Sequence, residues 1–163
     1  TATATTMPLP ILVVNPNTTK SMTDGLEVAL EPIIASGKVR PATATFCASV
    51  RPLTAAQLVL IIVGRGRTAT STNIFTAPSG IASINDAQDC HASAEAVFPS
   101  LVSPASRDSP SLYSRHSAIL IACYSVHPLV RQLAAARIPV LGIFEASILA
   151  SLALCLAPQD RFG

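Results

Sequence analysis

A cysteine at the end of a short apolar run is the residue of this chain best placed to do chemistry. Cys123 follows the aliphatic residues 118–122 and is followed directly by Tyr124 and Ser125. A run this short and rich in branched side chains predicts a strand that is buried on both faces of a parallel sheet. The thiol would then lie at the carboxyl edge of the sheet, where open α/β folds bind their ligands.

The residues after Cys123 predict the start of a helix. Pro128 suits the first helical position, which needs no backbone N–H, and His127 stands directly before it. A thiol that faces a helix N-terminus ionises more readily, so we expect a stabilised Cys123 thiolate. His127 is a second candidate to polarise the thiol, although a histidine beside a helix-starting proline is more often only a first-turn residue.

Composition limits the class of protein. The chain has 163 residues, half of them apolar, and a net charge of +2, which is enough material for one cored domain. This charge gives no electrostatic case for nucleic acid, and the Gly-Arg-Gly-Arg run at 64–67 lacks interleaved aromatic residues. No aliphatic run approaches the roughly 18 residues of a membrane span, so we expect no membrane association. Residues 1–8 are interpreted as a leader outside the fold.

The cysteines argue against a metal site and against a disulfide framework. They form no C-x-x-C pair and have no ligand spacing with the histidines, which favours a reducing, cytoplasmic compartment. Cys155 is predicted to be a core thiol, and Cys90 to have a structural or surface role. Cys47 ends a predicted strand at the ligand edge, and a pocket role stays open for it.

Apolar runs alternate with segments of helical period along the chain. Strands are predicted at 9–14, 39–47, 118–123 and 140–143, and helices from Thr18 or Thr19 toward residue 35, then at 84–98, 129–136 and 146–156. This alternation predicts an α/β fold, an open parallel sheet with helices on both faces, over residues 9–163. Residues 48–75 do not fit the pattern and look inserted, and residues 101–117, rich in Ser and Pro, are predicted to be an exposed, flexible loop.

Four motifs carry a family resemblance. They are Asn-Pro-Asn-Thr-Thr at 15–19, Pro-Ser-Gly-Ile-Ala-Ser-Ile at 78–84, Ala-Cys-Tyr-Ser at 122–125 and Pro-Val-Leu-Gly-Ile-Phe-Glu-Ala-Ser at 139–147. In this order they resemble the aspartate/glutamate/hydantoin racemase superfamily, most closely its hydantoin racemase branch. Residues 48–75 have no counterpart in the resemblance, and we interpret them as a lineage insertion or a translated intron.

The resemblance implies a cofactor-independent racemase with two similar Rossmann-like lobes and a small-molecule substrate, a hydantoin or another amino-acid derivative, in the cleft between them. Each lobe supplies one cysteine, since inversion needs acid-base groups on both sides of the α-carbon. Cys123 matches the first of these. Substrate-binding roles are implied for Asn15, Ser79, Gly80, Tyr124, Ser125 and Glu145. Glu145 is equally well explained as a helix-start carboxylate.

No residue of this sequence matches the cysteine of the second lobe. We therefore expect the sequence to represent the first lobe and not to racemise alone. A partner-dependent or non-enzymatic fragment, a homo-oligomer, and a decarboxylase or isomerase of the same superfamily stay open as alternatives. A cysteine phosphatase is excluded because Leu129 stands where C-x5-R requires arginine, and a dinucleotide-binding module because no glycine precedes Gly25 after the first strand.

Overall fold

The computed structural model describes residues 11–35, 72–104, 106, 108–134, 138–154 and 161. Its elements in chain order are β1 (Ile11–Asn15), α1 (Lys20–Ala35), β2 (Thr72–Thr76), α2 (Ala87–Val102), a 3-10 turn (Tyr113–Arg115), β3 (Ala118–Ile121), α3 (Pro128–Ala134), β4 (Val140–Gly142) and α4 (Ile143–Leu154). The predicted leader at 1–8, the predicted strand at 39–47, Cys47 and Cys155 lie outside the described residues.

The described strands form one parallel sheet in the order β2-β1-β3-β4. Val14 of β1 is aligned with Phe75 of β2 on one side and with Ile121 of β3 on the other. All residues of β1 and β3 are buried, which explains why these strands have continuous apolar sequences and no polar alternation. The predicted open parallel sheet is confirmed.

Helices cover both faces of the sheet, also as predicted. Alternate residues of β1 point to opposite faces, so Ile11 and Val13 pack with Leu30 of α1 and Ala146 of α4. Leu12 and Val14 pack instead with α2 and α3, through side chains that include Val97 and Leu129. The sheet is therefore the middle layer of a three-layer α/β arrangement.

Local polar contacts set where the helices begin. The Asp86 side chain accepts a hydrogen bond from the Asp89 N–H at 2.8 Å and caps α2, which begins three residues later than predicted. At the start of α1 the Asn17 side chain accepts from the Thr19 N–H at 3.0 Å. The Thr19 hydroxyl instead donates to the Ala82 carbonyl at 2.6 Å, and α1 begins directly after Thr19, as predicted. Its hydroxyl joins two loops.

The two segments that broke the sequence pattern belong in part to the core architecture. The last residues of the predicted insertion, 72–75, form most of β2. The sequence pattern did not predict this strand. Both ends of the predicted loop at 101–117 are buried, at Leu101, His116 and Ser117. The prediction of exposure is therefore wrong at these ends. None of the described helices has the length and the apolar character that crossing a membrane requires.

Two glycines in contrasting surroundings allow a test of the fold. Gly80 has φ +115°, and a Cβ there would lie 3.0 Å from the Ala96 Cβ on α2. We expect Gly80→Ala to lower the free energy of unfolding by about 1–3 kcal/mol. A Cβ added at Gly25, inside α1, would meet no other atom within 4 Å, so Gly25→Ala should raise it by about 0.5–1 kcal/mol.

Urea unfolding followed by circular dichroism measures both variants on the same scale. Changes of opposite sign in the free energy of unfolding for the two variants support the described loop and helix. A Gly80→Ala protein as stable as the wild type would contradict the positive φ at this position.

Candidate active site

A cleft of about 420 Å³ lies at the carboxyl edge of the sheet. The chain leaves β1 toward β2 on one side, whereas β3 lies on the other side, so the ends of β1 and β3 form a switch point where α/β folds bind ligands. Asn15 and Asn17 come from the end of β1, and Cys123, Tyr124 and Ser125 follow β3. Of the predicted site residues, the structure therefore brings together Asn15, Cys123, Tyr124 and Ser125.

Asn15 is fully buried, and its amide is already used inside the protein. The amide nitrogen donates to the Thr19 carbonyl at 3.2 Å and to the Thr23 hydroxyl at 3.0 Å, and its oxygen accepts from the Asn17 N–H at 3.3 Å. Thr23 also hydrogen-bonds Thr76 at the end of β2, at 2.6 Å. Asn15 therefore ties β1, α1 and β2 together. Both of its amide protons are used in this network, so the amide cannot also donate to a substrate.

Cys123 is half-buried, and its sulfur lies 3.0 Å from the Ser125 hydroxyl. Burial raises the pKa of the Cys123 thiol above its ordinary value, and the hydrogen bond with Ser125 acts in the opposite direction. The charge of Glu145 adds to the increase. The expectation of a stabilised thiolate is wrong for this environment, because desolvation is the largest effect on the thiol.

A second thiol reaches the same hydroxyl. The Cys90 sulfur on α2 lies 3.2 Å from the Ser125 Oγ, and Cys90 is only 5% exposed. One helical turn later, the Ser93 hydroxyl donates to the Pro16 carbonyl at 2.5 Å and holds α2 against the loop after β1. Cys90 was not predicted as a site residue. Its spacing of three residues from Ser93 marks one helix face, but nothing in the sequence shows what that face contacts.

Tyr124 forms an exposed wall of the cleft, with 70% of its surface open to solvent. Its ring packs edge-to-face on Phe144, with the centroids 5.6 Å apart. Its hydroxyl lies 2.9 Å from the Ser147 Oγ. Because Ser147 gives its single proton to the Phe144 carbonyl, the tyrosine hydroxyl is the donor in this pair. These contacts fix the Tyr124 side chain on α4.

Three predicted substrate-binding residues do not line this cleft. Ser79 and Gly80 are exposed, and the wall of the cleft uses Ser83 and Ile84 from the same loop instead. Glu145 lies in the first turn of α4, and one of its carboxylate oxygens, Oε2, is buried close to Gly142 with no hydrogen-bond partner among the described residues. A loop motif in the sequence identifies the loop but does not say which of its side chains reaches the cleft.

His127 caps the start of α3 and does not act on the thiol. Its Nδ1 accepts the Leu129 N–H at 3.3 Å, which assigns the proton of the neutral ring to Nε2. Burial lowers the pKa of His127 to about 4, and the charge of His91 adds to the decrease. The ring is therefore neutral at pH 7 and cannot stabilise a Cys123 thiolate by charge.

A family model described as Asp/Glu/Hydantoin racemase matches residues 11–163. The chain belongs to this family. The match supports a racemase-type function. No curated protein and no solved structure matches the chain. In the part of this family member that the structure describes, no group of three or more His, Cys, Asp or Glu side chains is arranged to hold a metal ion.

The buried His127 predicts a pH dependence of stability. Between pH 6.5 and about 4 the unfolded chain binds a proton at His127 that the folded protein excludes. The free energy of unfolding should therefore be fully maintained above pH 6.5 and fall as the pH decreases through this window. His127→Asn keeps a capping acceptor for the Leu129 N–H but removes the titrating ring, so its unfolding free energy should fall less steeply.

Urea unfolding at intervals from pH 4 to 7 compares the two proteins. His116 is also buried with a lowered pKa, for which burial is the main cause, and it adds the same pH dependence to both of them. The difference between wild type and variant therefore isolates His127. Parallel profiles, or an NMR titration of the His127 ring near pH 6.5, would contradict the burial described here.

Proposed function

We propose that this chain supplies one of the two acid-base groups of a cofactor-independent, hydantoin-type racemase, and that Cys123 is this group. The observation that supports it most directly is the composition of the cleft. Among its described lining residues, Cys123 and Tyr124 alone have protons that can titrate. Tyr124 donates its proton to Ser147, so the cysteine is the group left to exchange a proton with a substrate.

The protonation state of Cys123 assigns its part in the reaction. Because burial raises its pKa, Cys123 is a thiol at neutral pH and enters the cycle as the proton donor. A base on the opposite side of the substrate removes the α-hydrogen, and the electron pair of the broken C–H bond spreads into the adjacent carbonyl. Cys123 then gives its proton to the other face of the α-carbon and is left as a thiolate. The reverse reaction exchanges the two roles.

A hydantoin suits this cleft for two reasons. Its α-hydrogen is unusually acidic for an amino-acid derivative, so a thiol and an opposing base suffice without a cofactor. The wall also joins an apolar part, formed by Leu26, Ile84 and Ile143, to the polar side chain of Asn17. In the part of the chain that the structure describes, the amide of the buried Asn17 donates to the Met22 sulfur, at 3.3 Å; sulfur is a weak acceptor, so in this proposal the amide exchanges it for a ring carbonyl. In this proposal Asn17 takes the role first expected of Asn15.

A decarboxylase or isomerase of the same superfamily is the second candidate. It is favoured by one observation, which is that Cys123 is the single thiol among the described residues of the cleft wall. Loss of carbon dioxide leaves the electron pair on the α-carbon, and one protonated thiol can complete such a reaction from one face. Racemisation instead needs an opposing group, from elsewhere in the protein or from a second copy.

Solvent exchange tests the role of Cys123. The full chain is incubated in D2O with each enantiomer of 5-benzylhydantoin; NMR follows loss of the α-hydrogen, and chiral chromatography follows inversion. We expect Cys123→Ala to lower the exchange rate at least about a hundredfold, since positioned acid-base groups contribute 10²–10⁴-fold. Ser114→Ala, an exposed change in the 3-10 turn, is the control and should exchange at the wild-type rate.

The products distinguish the candidates. Inversion at a rate comparable to exchange shows that an opposing acid-base group is present, whereas exchange with retention shows that Cys123 works alone. Release of carbon dioxide from a 2-substituted malonate, without hydantoin exchange, supports the decarboxylase instead. Unchanged exchange in a folded Cys123→Ala protein removes Cys123 from the mechanism, and exchange of aspartate or glutamate alone overturns the hydantoin assignment.

A further inference from the structure

One serine hydroxyl lies between two thiols at the edge of the cleft. The Ser125 Oγ is 3.0 Å from the Cys123 sulfur and 3.2 Å from the Cys90 sulfur. We propose that Cys90 is a positioning residue for the acid-base chemistry of Cys123, and that it acts through the Ser125 hydroxyl. This inference deepens the proposed function and rests on it for its kinetic consequence, but the hydrogen-bond chain can be tested without turnover.

Counting protons gives the chain a direction when Cys123 is ionised. A hydroxyl has one proton to donate and two lone pairs with which to accept. A Cys123 thiolate is a stronger acceptor than a neutral thiol, so the single proton of Ser125 points toward Cys123. A lone pair of Ser125 then accepts from the S–H of Cys90. The chain runs from Cys90 to Ser125 to Cys123.

The same direction is useful when Cys123 is protonated. If Ser125 accepts from Cys90 and donates to Cys123, the S–H of Cys123 is left free to point into the cleft. If Cys90 offered no donor, both lone pairs of the Ser125 oxygen would be open to the Cys123 S–H, and this proton would be turned away from the substrate more often. A donor at Cys90 therefore favours the orientation of Cys123 that transfers its proton.

The position of Cys90 is well defined by its helix. Cys90 is 5% exposed, and the helix that carries it is held by the contact of Ser93 with Pro16 and by the buried Ala94 and Val97. A donor fixed in this way loses little entropy when it orients Ser125, whereas an exposed side chain would lose more. Helix α2 thus reaches the reacting group although Cys90 is absent from the cleft wall.

Several groups around Cys123 act on its charge, and they make the inference falsifiable. Burial is the largest of the effects that raise its pKa; a charge on Cys90 and the charge of Glu145 on α4 raise it too, whereas Ser125 lowers it. Tyr124 follows Cys123 directly, and His127 is neutral at pH 7. A Cys90 that acted as a charge would therefore oppose ionisation of Cys123, and a Cys90 that donates through Ser125 would assist it. The two roles predict shifts of opposite sign.

The pH dependence of thiol alkylation separates these roles. The full chain is treated with iodoacetamide between pH 6 and 11, and mass spectrometry of the Cys123 peptide gives the midpoint for this thiol alone. We expect Ser125→Ala to raise the midpoint by about one unit, which is the value of a hydrogen bond to a charged group. Cys90→Ala should raise it by roughly 0.1–0.3 units, because polarisation by a neighbouring donor strengthens a hydrogen bond by about 10–30%.

Conservative and control variants complete the design. Cys90→Ser keeps a donor and should restore the wild-type midpoint. The double variant Cys90→Ala with Ser125→Ala should match Ser125→Ala alone, because Cys90 acts through that hydroxyl. Ser93→Ala removes another buried hydroxyl from the same helix face and should destabilise the fold without moving the midpoint.

Each other outcome overturns the inference. A lower or unchanged midpoint in Cys90→Ala would show that Cys90 does not donate, and an additive double variant would show that it acts without Ser125. The exchange assay reports separately on the proposed function. Shifted midpoints in a protein that exchanges no hydantoin would keep the hydrogen-bond chain and reject the function. If Cys90→Ala and Ser125→Ala keep the wild-type midpoint while Cys123→Ala abolishes hydantoin exchange, the proposed function stands and the hydrogen-bond chain is rejected.

Discussion

The central constraint on this fold is the burial of β1 between two parallel neighbours. Val13 and Val14 are fully buried, and the hydrogen bonds of β1 are shared between β2 and β3. A strand in this position needs apolar side chains on both faces, so no position within it is left for a reactive polar side chain. Polar residues can begin only where the strand ends. The ends of β1 and β3 are adjacent because the strands are in register, and the cleft lies there as a consequence.

Polar groups at this edge are divided between holding the site and acting in it. Asn15 lies at the end of β1, yet its amide is used by α1 and by Thr23, which in turn contacts β2. A fully buried amide must find such partners, since an unpaired one costs about 1–3 kcal/mol. Asn17, two residues further on, donates its amide to the weak Met22 acceptor and to no other described residue. Both side chains are buried, so the strength of the amide partners separates the asparagine that ties the strands together from the one that we propose for a substrate carbonyl.

The sequence predicted those parts of the fold and site that depend on local pattern. The apolar runs that end at Asn15 and near Cys123 are recognisable because a buried strand has a distinctive composition, and the helices between them have a regular period. β2, with the sequence Thr-Asn-Ile-Phe-Thr, escaped because its polar residues do not resemble a buried strand. Cys90 was not predicted as a site residue for a different reason. Its contact with Ser125 joins residues 35 positions apart, and such a contact depends on how α2 packs against the sheet.

The same packing explains why the predicted thiolate was wrong. The start of α3 contributes one favourable effect, the helix dipole, but α3 is short and the neutral His127 precedes it. Desolvation acts on Cys123 from all the elements around it and is larger. For proton transfer this is no disadvantage, because inversion at carbon requires one protonated and one deprotonated group at the start of each turnover. In the proposed mechanism, a buried thiol begins each turnover protonated, and the neighbouring Ser125 hydroxyl stabilises the thiolate that remains after the proton is transferred.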